Sequence, residues 1–219
     1  MMPDIDRAAI KAAETLIEHN ITAAPIMPMP ILKATPRVFV VSFTEMAEQT
    51  GLDRNRMVMM CGAENQDAIT FVHDQNGELH YFVAYNQRLP FYLLQRGLAR
   101  ELGHIVLGHD GSRPEDVRAA EAVTFARHLL CPRPLIRLIQ SHGIDLTIET
   151  VGNLTGCYER CMVGIRKSPG AHVPAELNRK VADLFTDYVD NFLNFHRIIS
   201  QEDVSAHADF GTYMDNYMD

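Results

Sequence analysis

The chain is short of positive charge. Its 20 lysines and arginines stand against 28 aspartates and glutamates, leaving a formal net charge of −8 over 219 residues. An acidic surface repels phosphate backbones, so direct nucleic-acid binding by the whole chain is disfavoured, although a local basic patch is compatible with this balance. No apolar run approaches the roughly 18 residues of a membrane span. The opening MMPDIDRAAIKAAETLIEHN carries acids early and has no apolar core segment, unlike a secretory leader. Cysteine is sparse: Cys61, Cys131, Cys157 and Cys161 show no disulfide-framework or zinc-ribbon spacing. Cys157 and Cys161, one helical turn apart, read as two small buried residues rather than a redox pair. Internal repeats and long low-complexity segments are missing as well. These absences predict a cytoplasmic protein, and a length of 219 residues predicts one domain or one domain with an appendage. Hydrophobic residues make up 47% of it, enough for a core.

What is there falls into helices around a few strands. Ile5, Ala8, Ala12 and Leu16 recur at helical spacing over 5–20. PIMPMPILKATP (25–36) holds four prolines and predicts no regular helix. RVFVVSF (37–43) is β-branched and aromatic, a strand, and FTEMAEQTG (43–51) suits a short helix closed by Gly51. Within 68–86, two β-rich runs flank Asn76-Gly77, the strongest short hairpin signal. PFYLLQRGLARELGHIVLGH (90–109) is a helix with little polar surface, which places it centrally. In the next helix, 112–132, Ser112 and Glu115 have capping-box spacing and Pro114 fits the first turn. Further helices are expected over 133–142, 147–166 and 174–197, and the acidic end after 200 reads as a flexible tail. Strands followed only by helices predict an α+β fold with an antiparallel or mixed sheet. The expected organisation is a domain over 1–142, a helical extension over 143–200 and the tail over 201–219.

Chemistry concentrates in RELGHIVLGH (100–109). A zinc-hydrolase helix carries His-Glu-x-x-His, two imidazoles one turn apart with a glutamate beside the first to activate the metal-bound water. Here Glu101 and His104 occupy the later positions, but Arg100 stands where the first histidine belongs. Glu121, seventeen residues after His104, can return on an antiparallel second helix across the short loop at 109–113. On their own, a Glu and a His three apart are common by chance. His109 reads most simply as a histidine favoured at a helix C-terminus. His128 lies too far along the second helix from Glu121 to share a metal with it, and His73 and His80 read as strand-face residues.

The longer stretch HYFVAYNQRLPFYLLQRGLARELGHIVLGH, followed by EAVTFARHLLCP, resembles the ImmA/IrrE family of zinc metallo-endopeptidases. The resemblance runs through Tyr85-Asn86, Leu89-Pro90, Glu101-Leu102-Gly103-His104, Gly108-His109, Glu121-Ala122, Phe125-Ala126, Leu129-Leu130 and Pro132. It is continuous over about 80–132, and LTIETVGNLTGCYERCMVGIRK is similar to the small helical segment that often follows. The resemblance implies a zincin-like α+β core: a small sheet with the Asn-Gly hairpin, an active-site helix, a glutamate-bearing helix and a helical C-terminal segment. It also implies zinc on residues 100, 104 and 121, Glu101 as general base, and action on helix-turn-helix regulators of phages, mobile elements or stress responses.

Two departures change the expectation. A guanidinium offers no lone pair and stays protonated, so Arg100 cannot ligate zinc and repels a nearby cation. Val123 stands where the family commonly has an asparagine. With His104 and Glu121 as the remaining ligands, zinc is expected to be absent or weakly held. The chain then reads as a catalytically degenerate relative whose cleft, including Arg100 and His109, binds a protein partner such as a helix-turn-helix transcriptional regulator. The alternatives are an active zinc endopeptidase using an unconventional ligand and a non-catalytic structural or interaction domain. Arg100, on the face of His104, is expected to pair with Glu121 in the place of the metal.

Overall fold

A computed structural model describes residues 2–51, 53, 55, 56, 59, 67–144, 147, 151, 152, 155 and 170–195. Cys157 and Cys161, most of the helix expected over 147–166 and the tail after 200 lie outside the described residues. The order is α1 (Ile5–Glu18), α2 (Pro28–Ala34), β1 (Val38–Ser42), α3 (Phe43–Thr50), β2 (Ala68–Gln75), β3 (Glu78–Tyr85), α4 (Phe91–Val106), α5 (Glu115–Leu130), α6 (Arg133–Ser141) and α7 (Ala175–Leu184). A helical run over 186–195 follows a break at Phe185, within the single helix expected over 174–197. The fold is α+β, and no helix among the described residues is long and apolar enough to cross a membrane.

The three-stranded sheet has the order β1-β3-β2 and is mixed. β2 and β3 form the expected antiparallel hairpin, with Gln75 opposite Glu78. Asn76 and Gly77 both take positive φ, 58° and 84°, as a two-residue turn matching the strand twist demands. β1 joins β3 in parallel, Phe39 opposite Phe82. The second arm of the hairpin is therefore the central strand, and β2, the first arm, is the edge. Both pack against α4.

Two local expectations fail. Residues 28–34 are helical despite their prolines, because Pro28 and Pro30 fall in the first turn, where an N–H has no partner to lose. Ile31 and Leu32 then reach the core. Ser112 does not cap α5. Its own amide donates to the Asp110 carboxylate, and Pro114, held extended at φ −52° and ψ 143°, becomes the N-cap. A capping box occurs instead at α3, where Ser42 and Glu45 satisfy each other's backbone amides.

The core runs from Ala8, Ala12 and Leu16 of α1 through Leu98 and Leu102 of α4 to Phe125 and Leu129 of α5, then to Leu135, Ile139, Val181 and Phe185. α5 lies between α4 and α1 and packs on both. Gly103 permits the close approach of α4 to α5. A β-carbon there would sit 3.0 Å from Phe125 Cδ1 and 3.2 Å from both the Cα and the carbonyl oxygen of Ala122.

Candidate functional site

α4 carries Arg100, Glu101 and His104 on the surface that meets β2 and α5, but their side chains divide into two groups. The first is built around Arg100. Its Nη2 donates to Asp67 Oδ1 at 3.0 Å and to the Ala68 carbonyl at 3.2 Å. Its Nε and Nη2 both donate to Glu101 Oε1, at 3.2 and 3.1 Å. The Thr70 hydroxyl, on edge strand β2, donates to the other oxygen of Glu101 at 2.8 Å. Arg96, one turn before Arg100, donates to the second oxygen of Asp67 at 3.2 Å. Burial disfavours the charge on Arg100, but Glu101 and Asp67 outweigh this, so its pKa is raised further and it stays a cation. Burial dominates at Glu101 and raises its carboxyl pKa, although Arg100 and Thr70 oppose the shift. Gly97 creates the space for Asp67, since a β-carbon at 97 would fall 2.7 Å from Asp67 Cβ.

The second group is built around Glu121, which is almost fully buried. His109 Nε2 lies 3.0 Å from Glu121 Oε2, and Arg113 Nη1 donates to the same oxygen at 2.8 Å. The other oxygen accepts the backbone amide of Asp4 at 2.7 Å. Asp4 is the N-cap of α1, and Arg7 of that helix donates to the carbonyl of Leu107 at the end of α4. The start of α1 thus closes over the carboxylate. His104 joins this group through His109, their Nδ1 atoms 2.8 Å apart.

The expected pairing of Arg100 with Glu121 is not what forms. Arg100 turns toward the strand side, where buried Asp67 and Glu101 offer two carboxylates. Glu121 is satisfied by His109, Arg113 and a backbone amide. The imidazole linking His104 to Glu121 belongs to His109, placed there by the end of α4. The His109 amide donates to the His104 carbonyl and the Gly108 amide to the Ile105 carbonyl, both at 3.0 Å, with Gly108 at φ 66°. This is a Schellman turn, which folds the second residue after the helix back onto the last turn.

Burial lowers the His104 pKa to about 3, aided by His109 and Arg100, so its ring is neutral near pH 7. Burial also lowers that of His109, partly offset by its bond to Glu121. With both rings neutral, the polar contacts assign one tautomer chain. His109 Nε2–H donates to Glu121, leaving its Nδ1 to accept from His104 Nδ1–H. His104 Nε2 then keeps a lone pair, a potential base or ligand atom.

The zinc set implied by the resemblance does not fit this arrangement. Position 100 supplies no donor atom. Of the other two positions, Glu121 is already bonded by His109, Arg113 and the Asp4 amide, and His104 by His109. Glu101, in the general-base position, is hydrogen-bonded to Thr70 and Arg100. Six partners have no counterpart in the sequence motif: Asp67, the Ala68 carbonyl, Thr70, Arg96, Arg113 and the Asp4 amide. Gly97 opposite Asp67 and Gly108 before His109 were the local signals.

No family model, curated protein or solved structure matches this chain.

Proposed function

We propose that this chain is an ImmA/IrrE-like, zincin-like protein that has lost hydrolysis and acts by binding a protein partner. The partner is of the helix-turn-helix regulator kind, in the control of a phage, mobile element or stress response. The observation that carries this reading is the ion-paired state of Arg100 and Glu101. Hydrolysis in such a cleft needs a lone pair at position 100 and a carboxylate at 101 free to take a proton from water. Here the cation at 100 is bonded to that carboxylate. Glu121, the remaining acidic ligand position, is bonded by His109 and Arg113. Partner binding is supported by the sheet, whose outer face exposes Phe39 and Phe82, stacked with ring centroids 5.1 Å apart. Exposed aromatic clusters mark interaction surfaces.

Elemental analysis of protein dialysed without chelator, combined with a cleavage assay on a helix-turn-helix regulator, tests the loss of hydrolysis. The expected result is no stoichiometric zinc and an intact regulator. One tightly held zinc per chain with cleavage abolished by Glu101→Gln overturns the reading and favours an active endopeptidase. Retention of the regulator on the immobilised chain, lost on Phe39→Ser/Phe82→Ser, is expected for a binding protein. A folded wild type that retains no such regulator leaves a structural domain and removes the partner assignment.

A further inference from the structure

A second site lies away from the Glu121 cluster. A cavity of about 470 Å³ is lined by His128 of α5, Arg133 and Arg137 of α6, the 170–173 segment and Ala175 and Asn178 of α7. Among the described residues no carboxylate lines it, in a chain whose net charge is −8. Arg133 and Arg137 stand at i and i+4 on one face of α6, so their guanidinium groups share one wall. Neither pairs with a carboxylate among the described residues. The ion pairs of the described residues lie elsewhere; of the acids nearby, Asp6 accepts the backbone amide of the lining residue His172 at 2.7 Å, and Glu176 is engaged by Lys180 at 3.0 Å. His172 and His128 add two imidazoles, and the first turn of α7 adds backbone amides. Gly170 lets Arg133 lie against the backbone, since a β-carbon there would sit 3.3 Å from Arg133 Nη1. The same surroundings act on His128, whose pKa falls to about 4 through burial first and then the charges of Arg133 and Arg127. The cavity is therefore a positive one whose neutral imidazole can donate a hydrogen bond.

We propose that this cavity binds the phosphate of a small organic phosphate monoester, held by Arg133 and Arg137 with His128, His172 and Asn178 around it. Charge selects phosphate over a single carboxylate. Two guanidinium groups with no carboxylate partner among the described residues match the charge of about −1.5 to −2 that a phosphate monoester carries near pH 7. Each planar fork can engage two of its oxygens. Size selects a monoester over the bare ion. The volume is within the range of roughly 300–1,000 Å³ that holds small organic ligands, and Ala171, Val173 and Ala175 supply apolar wall for the organic part.

The test is isothermal titration of the full chain with adenosine monophosphate, inorganic phosphate, succinate and adenosine as probes. Adenosine monophosphate is expected to bind saturably and more tightly than inorganic phosphate, with succinate weaker than both and adenosine silent. Arg137→Gln, on the exposed rim, should weaken the phosphate probes about tenfold, the loss of one charge-assisted hydrogen bond. Arg133→Gln/Arg137→Gln should abolish their binding. Circular dichroism checks that each variant is folded. If the double variant does not fold, the single Arg137→Gln and an NMR titration of His128 decide. The pKa of His128 should rise when phosphate saturates the wild type. No saturable binding of either phosphate probe, binding unchanged in Arg137→Gln, or succinate bound as tightly as phosphate each overturns the proposal.

Discussion

His109 reaches back across the end of α4 to place its Nδ1 2.8 Å from that of His104, while its other ring nitrogen meets Glu121. The cluster is thus a relay of hydrogen bonds running from α4, through its own C-terminal turn, into α5 and the start of α1.

Removing the acid at the centre of this relay should be costly. Glu121→Ala orphans a buried histidine N–H together with Arg113 and the Asp4 amide, which are partly open to water. The expected loss is about 3 kcal/mol, the lower end of the cost of breaking a buried ion pair, because Arg113 can turn to solvent. Urea unfolding measures it, and a loss under about 0.5 kcal/mol, typical of exposed pairs, would show that the cluster is solvated.

Arg100→Ala leaves Asp67 and Glu101 buried close together without their shared cation. Arg96 still reaches Asp67, so the expected destabilisation is about 3 kcal/mol, near the lower end of the cost of breaking a buried ion pair. Arg100→Lys should recover only part of it, because a single ammonium cannot reproduce the fork that bonds Asp67, Ala68 and Glu101 together. Full recovery by lysine in thermal unfolding would contradict that geometry.

Gly103→Ala should cost about 1–3 kcal/mol, because the new methyl meets the ring of the fully buried Phe125 at 3.0 Å and backbone atoms of Ala122 at 3.2 Å, with no flexible side-chain tip to move aside. A neutral or stabilising result would mean that α4 and α5 can separate freely.

Acid should weaken the fold through histidines. His104 and His128 have folded pKa values lowered to about 3 and about 4, against an unfolded value near 6.5. The unfolded chain therefore binds more protons below pH 6.5, so their contribution is complete above that pH and is lost as pH falls toward 4 and then 3. Glu101, with a raised pKa, works in the opposite sense: its contribution is present below the unfolded carboxyl value and lost as pH rises through the folded one. Between pH 7 and pH 5 the histidines dominate, and each should remove on the order of 1–2 kcal/mol. Denaturant titrations of the wild type and His104→Asn at the two pH values check this; equal slopes against pH would remove His104 as a contributor.

Where local chemistry decides structure, the sequence was readable. Asn76-Gly77 determines a two-residue hairpin turn because both positions need positive φ. The apolar circumference of 91–106 and the return of Glu121 on α5 were readable for the same reason. The destination of Arg100 was not. Helical spacing puts it on one face with His104, but its long arm chooses among acids that only the tertiary fold assembles, and Asp67 is 33 residues earlier in the chain. His109 was half legible. A histidine near a helix end is ordinary, yet glycine at 108 is the residue that turns the chain back, and the next side chain must then meet the last helical turn. Asp4, 117 residues from Glu121, has no local signal at all.

The bond from the Asp4 amide to Glu121 has a practical consequence at the bench. Whatever polypeptide precedes Asp4 is tethered within a few residues of the relay, so an affinity tag or fusion on that side is held beside the very groups under study. Its histidines could themselves capture metal there and imitate an enzyme. Zinc and partner measurements on this chain belong with a tag at the far end, or with none.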